Sequence, residues 1–307
     1  MSGPFQGGTE KARIAVVLVS YEARAAVLAA LDALLRLSIA AEVVVVDNAS
    51  TDGSPEAVRA RHPRARVLAN PENLGFARAC NQGWRASEAP FVLFLNPDAE
   101  PLPGAVEALT GVLDARADVG LVGPRTRFPD GAVQVSTGPD LSLLAEFGQR
   151  RLVRAVRRRE AWALERAEAL HAREHEPDWL SGSCIVVRRS VLEATSGFDE
   201  GFFLYEEDAD LCRRARAAGW RVVFTPAAEV RHELGRSMAR APRRAVLEYH
   251  RSHLLYYRRH NGPAARAVLR LLLAARGLAG WAAGVVRGCA PTRHLGTSLL
   301  RLALRGR

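Results

Sequence analysis

Short apolar runs that alternate with helix-periodic segments over the first 120 residues constrain the fold more than any other feature. Continuous β-branched and apolar runs are typical of strands that are buried on both faces. Such runs occur at Ile14–Val19, Val43–Val46, Arg66–Leu68, Phe91–Leu95 and Val119–Val122. Helical segments separate them, at Ala25–Leu37, after Ser54-Pro55, at Phe76–Ala86 and at Leu102–Ala115. This alternation predicts an α/β fold with a mostly parallel sheet and helices on both faces.

The pattern changes after Gly123, where strands and helices no longer alternate regularly. A hairpin is expected around Pro129-Asp130-Gly131, followed by a charged helical region at 141–175. Further on, the sequence predicts strands at Ile185–Val187 and Arg221–Phe224 and a helix at Ala209–Ala218. We therefore expect one folded domain over residues 13–240, with halves at 13–123 and 124–240, a disordered segment at 1–12 and a helical extension at 241–307.

Basic residues are unevenly distributed along the chain. The protein carries 43 Lys and Arg against 33 Asp and Glu, a formal net charge of +10. Residues 241–307 contain 13 Arg and a single acid, whereas residues 1–240 contain 30 basic and 32 acidic residues. Because a nucleic-acid-binding protein usually presents basic residues on a face of its folded domain, the nearly neutral domain argues against nucleic acid as a partner. The basic, apolar extension favours an anionic membrane surface instead.

The extension also contains the longest apolar segment of the chain. Ala267–Arg287 is interrupted by Arg270 and Arg276, and its longest uncharged run, Gly277–Val286, has ten residues. A membrane-spanning helix needs about 20 apolar residues, so we interpret this segment as a helix that lies in the membrane interface. The alternative is that part of the extension packs on the preceding domain.

The cysteines and the N-terminus indicate the compartment. The four cysteines have no CxxC spacing, which argues against a zinc site and a disulfide framework: Cys80, Cys184, Cys212 and Cys289. The first 13 residues lack the apolar stretch of a signal peptide. We expect a cytoplasmic protein with reduced cysteines, held peripherally on the inner face of the cell membrane.

Polar residues follow three of the predicted strands, as Ser20-Tyr21-Glu22, Asp47-Asn48 and Asn96-Pro97-Asp98. In an open parallel sheet, ligands bind in the crevice beyond the carboxyl ends of the strands. Aspartates at such positions can equally begin turns or cap helices. Because Asp47 and Asp98 would lie at the same edge of the sheet, the pair favours a ligand-binding crevice.

Four carboxylates lie within residues 206–210, directly after an aromatic run. The helix dipole favours acids at a helix start, so capping is the simpler explanation for Glu206 and Glu207. Apolar surroundings would also raise the basicity of a carboxylate, as a general base requires. Downstream, His232 follows a strand and lies in a polar turn with Arg236, where a ligand role competes with a purely structural one.

Several common catalytic motifs are missing from the sequence. No GxGxxG follows the first strand, and neither a GxxxxGK[ST] loop nor a GxSxG elbow occurs, which argues against dinucleotide binding, P-loop hydrolysis and serine hydrolysis. A sugar nucleotidyltransferase would normally show a Gly- and Lys/Arg-rich loop after the first strand, where this chain has Ser20-Tyr21-Glu22-Ala23.

The polar strand ends and the acidic cluster together resemble the motifs of family 2 glycosyltransferases, most closely the rhamnosyltransferase-like branch that builds bacterial cell-surface polysaccharides. The resemblance covers about residues 13–237 and rests on four segments in order: Val43–Ser54 (VVVVDNASTDGS), Glu72–Ala77, Phe94–Asp98, and Tyr205–Leu211 with His232. It implies a GT-A fold, a nucleoside-diphosphate sugar donor, a divalent metal (Mg²⁺ or Mn²⁺) and inversion at the anomeric carbon. Residues 13–123 would then be the nucleotide-sugar-binding half and 124–240 the acceptor and catalytic half.

The same resemblance implies roles for individual residues. Asp208 would be the catalytic base with Glu207 beside it, and Asp98 and His232 would bind the metal or the diphosphate. Tyr21 would lie against the nucleobase. The remaining substrate-binding candidates are Ser20, Glu22, Asp47 at the edge of the base, Asn73 and Gly75 near the nucleotide, Asn96, Trp179, Gly182 and Arg236.

The sequence thus predicts a metal-dependent inverting hexosyltransferase that moves a sugar, rhamnose being the one the resemblance suggests, to a saccharide acceptor. A membrane-attached extension suits a lipid-linked acceptor, because enzyme and acceptor then share one cytoplasmic face. The alternatives are a nucleotide-sugar-binding protein without turnover and a sugar nucleotidyltransferase. The sequence leaves oligomer formation open.

Overall fold

The apolar runs of the sequence form one eight-stranded sheet in the computed structural model, which describes residues 12–37, 39–233 and 242–305. A separate two-stranded sheet pairs β7 with β8. Residues 1–11, which make up nearly all of the segment expected to be disordered, lie outside the described residues. The strands are β1 Ile14–Ser20, β2 Ala41–Asp47, β3 Arg66–Ala69, β4 Phe91–Leu95, β5 Ala99–Pro101, β6 Val119–Arg127, β7 Thr137–Gly138, β8 Trp179–Leu180, β9 Cys184–Arg188 and β10 Arg221–His232.

The large sheet has the order β3-β2-β1-β4-β9-β6-β10-β5. The ladders β1–β2, β1–β4, β2–β3 and β6–β10 are parallel, as the alternation of strands and helices predicts. However, β9 runs antiparallel between β4 and β6, and β5 runs antiparallel to β10. An apolar run shows that a strand is buried but not its direction, so these antiparallel neighbours were not expected.

Helices cover both faces of the sheet, and alternate residues of each strand point to opposite layers. Val16 and Leu18 of β1 belong to one apolar cluster, whereas Val17 and Val19 belong to the other. The first cluster packs under α1 (Arg24–Arg36), α2 (Ser54–Arg61) and α4 (Ala105–Ala115). The second packs under α3 (Phe76–Arg85), α7 (Arg189–Thr195) and α8 (Glu207–Ala217).

The hairpin expected after β6 is present in a short form. An antiparallel bridge joins Arg127 to Val133, and the Phe128 N–H donates to the Ala132 carbonyl and the Gln134 N–H to the Thr126 carbonyl, both at 2.8 Å. The chain then forms α5 (Leu143–Arg157) and α6 (Ala161–Leu170), as the helical pattern of 141–175 predicts. These helices pack around a small apolar cluster that is separate from the two clusters on the faces of the sheet.

The C-terminal extension is helical, as expected, and forms α9 (Pro242–His260), α10 (Pro263–Val286) and α11 (Ala290–Arg305). On α9, Tyr256 and Tyr257 are buried in the same apolar cluster as the central sheet. By length and composition, α10 is long and apolar enough to cross a membrane, which differs from the interfacial interpretation of the sequence. It packs antiparallel against α11 while several of its leucines remain exposed, Leu271 to 69%.

Candidate active site

A cleft opens where the strand order reverses, between β1 and β4, beyond the carboxyl ends of the parallel strands. It consists of two cavities, of about 210 and 360 Å³. The two share five lining residues and so form one continuous cleft: Phe76, Asn96, Leu204, Tyr205 and His232. The smaller cavity lies against the ends of β1 and β4, and the larger lies under α5 and the start of α8.

The smaller cavity is lined by residues of three predicted motifs, among them Tyr21, Asn73, Gly75 and Asp98. Asn73 Oδ1 accepts a hydrogen bond from the Gly75 N–H at 3.0 Å, and Asn48 Nδ2 donates to the Gly75 carbonyl at 3.0 Å. These side-chain bonds shape the loop that leads into α3. The helix therefore begins beside the cleft with its backbone held in place.

Gly75 carries the tightest backbone approach in this loop. Its φ is +87°, and a Cβ built there would lie 2.5 Å from the Phe203 carbonyl oxygen. The next residue, Phe76, donates its N–H to that same carbonyl at 2.7 Å. The loop that leads into α3 and the loop before α8 are thus joined at Gly75, a position that only glycine fits.

We expect Gly75→Ala to cost more stability than alanine at an uncrowded left-handed glycine, and to weaken nucleotide binding. Gly104 is that reference, since it has φ +81° and ψ −7° and no atom lies within 4 Å of an added Cβ. The left-handed conformation costs Gly104→Ala about 1–2 kcal/mol. Gly75→Ala should cost about 1–3 kcal/mol more, because the added Cβ clashes and because ψ of 171° places Gly75 in a region that is almost restricted to glycine. Urea unfolding and nucleoside-diphosphate titration measure both effects, and equal losses in the two variants would contradict the assignment.

Three predicted residues, Ser20, Glu22 and Asp47, do not line the cleft, and two of them bind the turn after β2. Both carboxylate oxygens of Asp47 accept from Ser50, at 2.8 Å from its N–H and 2.6 Å from its hydroxyl. Glu22 Oε1 accepts from the Thr51 N–H at 2.7 Å. Ser20 is fully buried, and its hydroxyl finds no hydrogen-bond partner among the described residues. Asp47 and Glu22 thus hold the turn, and Asn48, next to Asp47, lines the cleft.

The side chains of Asp98 and His232 lie next to each other in the lining of the cleft. Asp98 follows β4, His232 ends β10, and Asp98 Oδ1 lies 3.3 Å from His232 Nε2. The antiparallel pairing of β10 with β5 brings them together, because it places His232 opposite Ala99, the residue after Asp98. Both side chains are largely buried, so the pair is held in one arrangement.

Gln134 orients the ring of His232. Its Nε2 donates to the His232 carbonyl at 2.6 Å, which turns Oε1 toward His232 Nδ1 at 3.1 Å. Nδ1 faces Gln134 Oε1, so Nε2 is the ring nitrogen that faces the Asp98 carboxylate. A carboxylate oxygen and a ring nitrogen at this distance can bind one cation, and an outer hydrogen bond of this kind is typical of metal-binding histidines.

The donor set fits a metal that is completed by substrate. No group of three or more His, Cys, Asp or Glu that could hold a metal occurs within the described ranges. Asp98 and His232 would be the protein ligands, with phosphate oxygens and water as the others, as is usual for Mg²⁺. Asn96 lies two residues from Asp98 and also lines the cleft.

Asp208 and Glu207 lie at the start of α8 and line the larger cavity. Asp208 accepts two backbone bonds, from the Gly182 N–H at 2.7 Å and the Ala209 N–H at 2.8 Å. Burial raises the pKa of Asp208, and these donors oppose that rise. Burial and the charge of Asp208 raise the pKa of Glu207 further, and one of its oxygens has no partner among the described residues. Of these two carboxyl groups, Glu207 is therefore the one whose protonated form is favoured more, and Asp208 is the one held by backbone donors.

Two other predicted residues border the same cavity. Trp179 lines it from β8, and Gly182 lies so close to Asp208 that an added Cβ would be 3.3 Å from the carboxylate. Arg236 lies outside the described residues. Gln134 is a part of the site that sequence reasoning missed, since it belongs to no motif and acts through His232, far away in the chain. Phe203 lies in the aromatic run before the acids, but its carbonyl contact with the loop at Gly75 was not predicted.

Comparison with known families agrees with this geometry. The protein-family model described as "Glycosyl transferase family 2" matches residues 15–195 of this chain. A second family model, described as "Glycosyl transferase family group 2", matches residues 130–292. The chain belongs to glycosyl transferase family 2. The resemblance stated from the motifs is therefore confirmed, and the alternatives of a nucleotidyltransferase and of a protein without turnover lose their support.

A curated relative points in the same direction. A Mycobacterium tuberculosis (strain CDC 1551 / Oshkosh) protein named "N-acetylglucosaminyl-diphospho-decaprenol L-rhamnosyltransferase" is 37% identical over 246 residues, which cover 75% of this chain and 80% of that protein. The rhamnosyltransferase-like branch predicted from the sequence is therefore confirmed for this family 2 glycosyltransferase.

Solved structures confirm the GT-A fold of this glycosyltransferase. The mannosyltransferase PcManGT from Pyrobaculum calidifontis, solved with GDP-Man and Mn²⁺, superposes with a TM-score of 0.60 at 20% identity and covers all of this chain and 89% of that one. GalNAc-T7, solved with UDP, GalNAc and Mn²⁺, has a TM-score of 0.54 at 14% identity, over 74% of this chain and 44% of that one. At such identities the likeness concerns the fold alone.

Proposed function

We propose that this glycosyltransferase moves a rhamnosyl group from a nucleoside-diphosphate rhamnose to a lipid-linked N-acetylglucosaminyl diphosphate during cell-surface polysaccharide synthesis. The observation that carries the proposal is one cleft in which Asp208 lies in one cavity and the Asp98–His232 pair borders the other. The rhamnosyl group and the lipid-linked acceptor are those in the name of the 37% identical relative, and the nucleoside-diphosphate donor is what the motif resemblance implies.

The arrangement supports a single displacement. With the donor diphosphate at Asp98 and His232, the acceptor would enter the larger cavity, between Trp179 and Asp208. The Gly182 and Ala209 N–H groups hold the Asp208 carboxylate so that it faces the acceptor. Asp208 then removes the proton of the attacking hydroxyl. Attack on the face opposite the leaving diphosphate inverts the anomeric carbon, so no nucleophilic carboxylate is needed.

A divalent cation, Mg²⁺ or Mn²⁺, would be held by Asp98 Oδ1 and His232 Nε2. When bound, it supplies Lewis-acid neutralisation of the departing nucleoside diphosphate. Gln134 binds Nδ1 of His232, so that Nε2 faces Asp98. Metal dependence is supported by this donor set and by the Mn²⁺ in the two GT-A structures compared above.

The test is a transfer assay with the full chain, Mg²⁺ or Mn²⁺, a short-chain N-acetylglucosaminyl-diphospho lipid and nucleoside-diphosphate rhamnoses that differ in their base. We expect a rhamnosylated lipid with inverted configuration, visible by mass spectrometry and NMR, and no product after chelation. Donor binding without transfer or hydrolysis would instead favour a binding protein. Transfer of a different sugar would keep the enzyme class and overturn the rhamnose assignment.

The exposed face of α10 supports peripheral attachment to the inner membrane surface. Leu271 and Leu272 are 69% and 58% exposed, and Arg266, Arg270 and Arg276 lie on the same helix. A basic residue near an anionic bilayer contributes about 1 kcal/mol, and the leucines add apolar burial. Three arginines along the helix suit a position in the interface, although its length and composition would also allow a span.

We expect the protein to bind anionic vesicles at low salt and to lose that binding as salt screens the charges. The double variant Leu271→Gln/Leu272→Gln should reduce binding, because it removes exposed apolar groups without disturbing a buried contact. A pair on α5, Leu144→Gln/Phe147→Gln, is the matched control, since these residues are 90% and 72% exposed. Vesicle co-sedimentation measures both variants. Loss of binding in the α5 pair alone would overturn the assignment to the extension.

A further inference from the structure

The turn that carries the catalytic acids has an unfavourable backbone. Tyr205 and Glu206, directly before Glu207 and Asp208, both have positive φ, of 72° and 66°. Neither is glycine, and two consecutive residues in this region persist only where their surroundings hold them. The term "acidic turn" is used below for residues 204–208. Its geometry decides where the Asp208 carboxylate points.

The first helix of the C-terminal extension, α9, holds this stretch of chain at three points. Ser252 Oγ donates to the Leu204 carbonyl at 2.7 Å, and His253 Nδ1 lies 2.7 Å from Glu206 Oε1. One turn into α8, Asp210 Oδ1 lies 2.7 Å from His260 Nε2. All three groups lie on the face of α9 that packs on the domain.

His253 is the best placed of these groups to restrain the acidic turn. Its other ring nitrogen, Nε2, lies 3.2 Å from Glu146 Oε2 on α5, so the ring bridges two carboxylates from different elements. Arg150 and the Tyr257 hydroxyl also bind Glu146, and the Tyr249 ring stacks on the imidazole with centroids 5.7 Å apart. His253 itself is 1% exposed.

The two carboxylates that flank the His253 ring, those of Glu206 and Glu146, favour its charged form. The carboxylates of Glu206 and Glu146 raise the pKa of His253 to about 9 against the effect of burial. A doubly protonated ring can donate to both at once, whereas a neutral ring can donate to only one of them and would leave the other to its remaining donors, which for Glu146 are Arg150 and Tyr257. At neutral pH the imidazolium therefore ties α5, α9 and the acidic turn together.

We propose that His253 is a positioning residue of the transfer reaction, which holds the acidic turn through Glu206 so that Asp208 faces the acceptor. The inference rests on the assignment of Asp208 as the base, which is part of the proposed function. With this role for His253, α9 contributes a positioning residue to the active site, although it lies beyond residue 240, where the sequence motifs end. His253 does not touch the substrate and acts through Glu206.

The chain offers a matched control on the same helix. His250 is also buried, at 6% exposure, and lies three residues before His253. Its described contact is with the ring of Tyr249, and none of the contacts of the described residues joins it to the acidic turn. Replacing either histidine by alanine removes a similar side chain from α9, but only His253→Ala also removes the bridge to Glu206 and Glu146.

The experiment measures transfer and local order in His253→Ala, His253→Gln and His250→Ala. We expect His253→Ala to lower kcat about 10- to 100-fold, as a displaced catalytic group does, with donor affinity unchanged. His253→Gln should recover part of kcat, because its amide can still donate to Glu206. His250→Ala should keep kcat within about twofold even where it lowers Tm.

Hydrogen exchange gives a readout that needs no substrate. Amides of residues 203–209 should exchange at least about tenfold faster in His253→Ala than in wild type and in His250→Ala. Exchange in α3 should stay unchanged. If the wild-type protein fails to transfer rhamnose, the proposed donor is wrong while the exchange result still tests the link to the turn. Unchanged exchange with unchanged kcat in His253→Ala, or equal loss of kcat in His250→Ala, would overturn the proposal.

Discussion

Asp208→Asn is expected to lower kcat by about 10²–10⁴ while donor and acceptor still bind, because the variant keeps the size of the side chain and removes its basicity. The Gly182 N–H binds Oδ2 and the Ala209 N–H binds Oδ1, so the single amide oxygen of asparagine keeps one of these two bonds. The measurement is the initial rate at saturating substrates, together with donor affinity by calorimetry. Near-normal turnover would exclude Asp208 as the base.

The neighbouring acid provides the control for this variant. Glu207→Gln should be milder, because burial and the charge of Asp208 raise the pKa of Glu207 and so favour the neutral form that glutamine resembles. The pH dependence follows from the same shifts. Because the pKa of Asp208 is raised above the ordinary value of 3.8, wild-type kcat should begin to fall on acidification at a higher pH than for an exposed aspartate. A kcat that stays flat down to that ordinary value would contradict the assignment.

Asp98→Ala should abolish the effect of metal on nucleoside-diphosphate binding. Removal of a group that only supports a metal ligand typically costs 10–100-fold, and loss of a direct ligand should cost at least about 100-fold. His232 would remain but would lack its partner at 3.3 Å. Titration of the nucleoside diphosphate with Mg²⁺, with Mn²⁺ and with chelator measures the effect.

A second aspartate at the same edge of the sheet separates metal binding from base recognition. Asp47→Asn keeps an acceptor for the Ser50 N–H, so the turn should persist. It should weaken binding of the nucleoside while leaving the response to metal intact. If Asp98→Ala retains the metal response and Asp47→Asn loses it, the roles of the two residues are reversed.

Much of the cleft could be predicted because its residues belong to local motifs. Tyr21, Asn73, Asp98 and Asp208 each follow a strand or begin a helix whose periodicity is readable in the sequence. The structure brings all four to one cleft. Whether each performs its expected chemical role stays a prediction that the variants above test.

Other features of the site could not be read from the sequence. Gln134 meets His232 across 98 positions, and His253 meets Glu206 across 47. No spacing rule links such pairs, because they are brought together by strand direction and helix packing. Asp47 shows that a motif position does not by itself fix the contacts of a side chain. It lies in a clear motif, but its carboxylate binds Ser50 in a turn and does not line the cavity.

The sequence by itself determined the α/β class, the family and most strand and helix positions. These follow from periods of about 2 and 3.6 residues and from motifs within a dozen positions. Only the tertiary structure decided that β9 runs antiparallel within the sheet and that α9 packs against the acidic turn. The physical reason is that periodicity reports which face of an element is buried. It does not report against what that face packs, which depends on contacts between residues far apart in the chain.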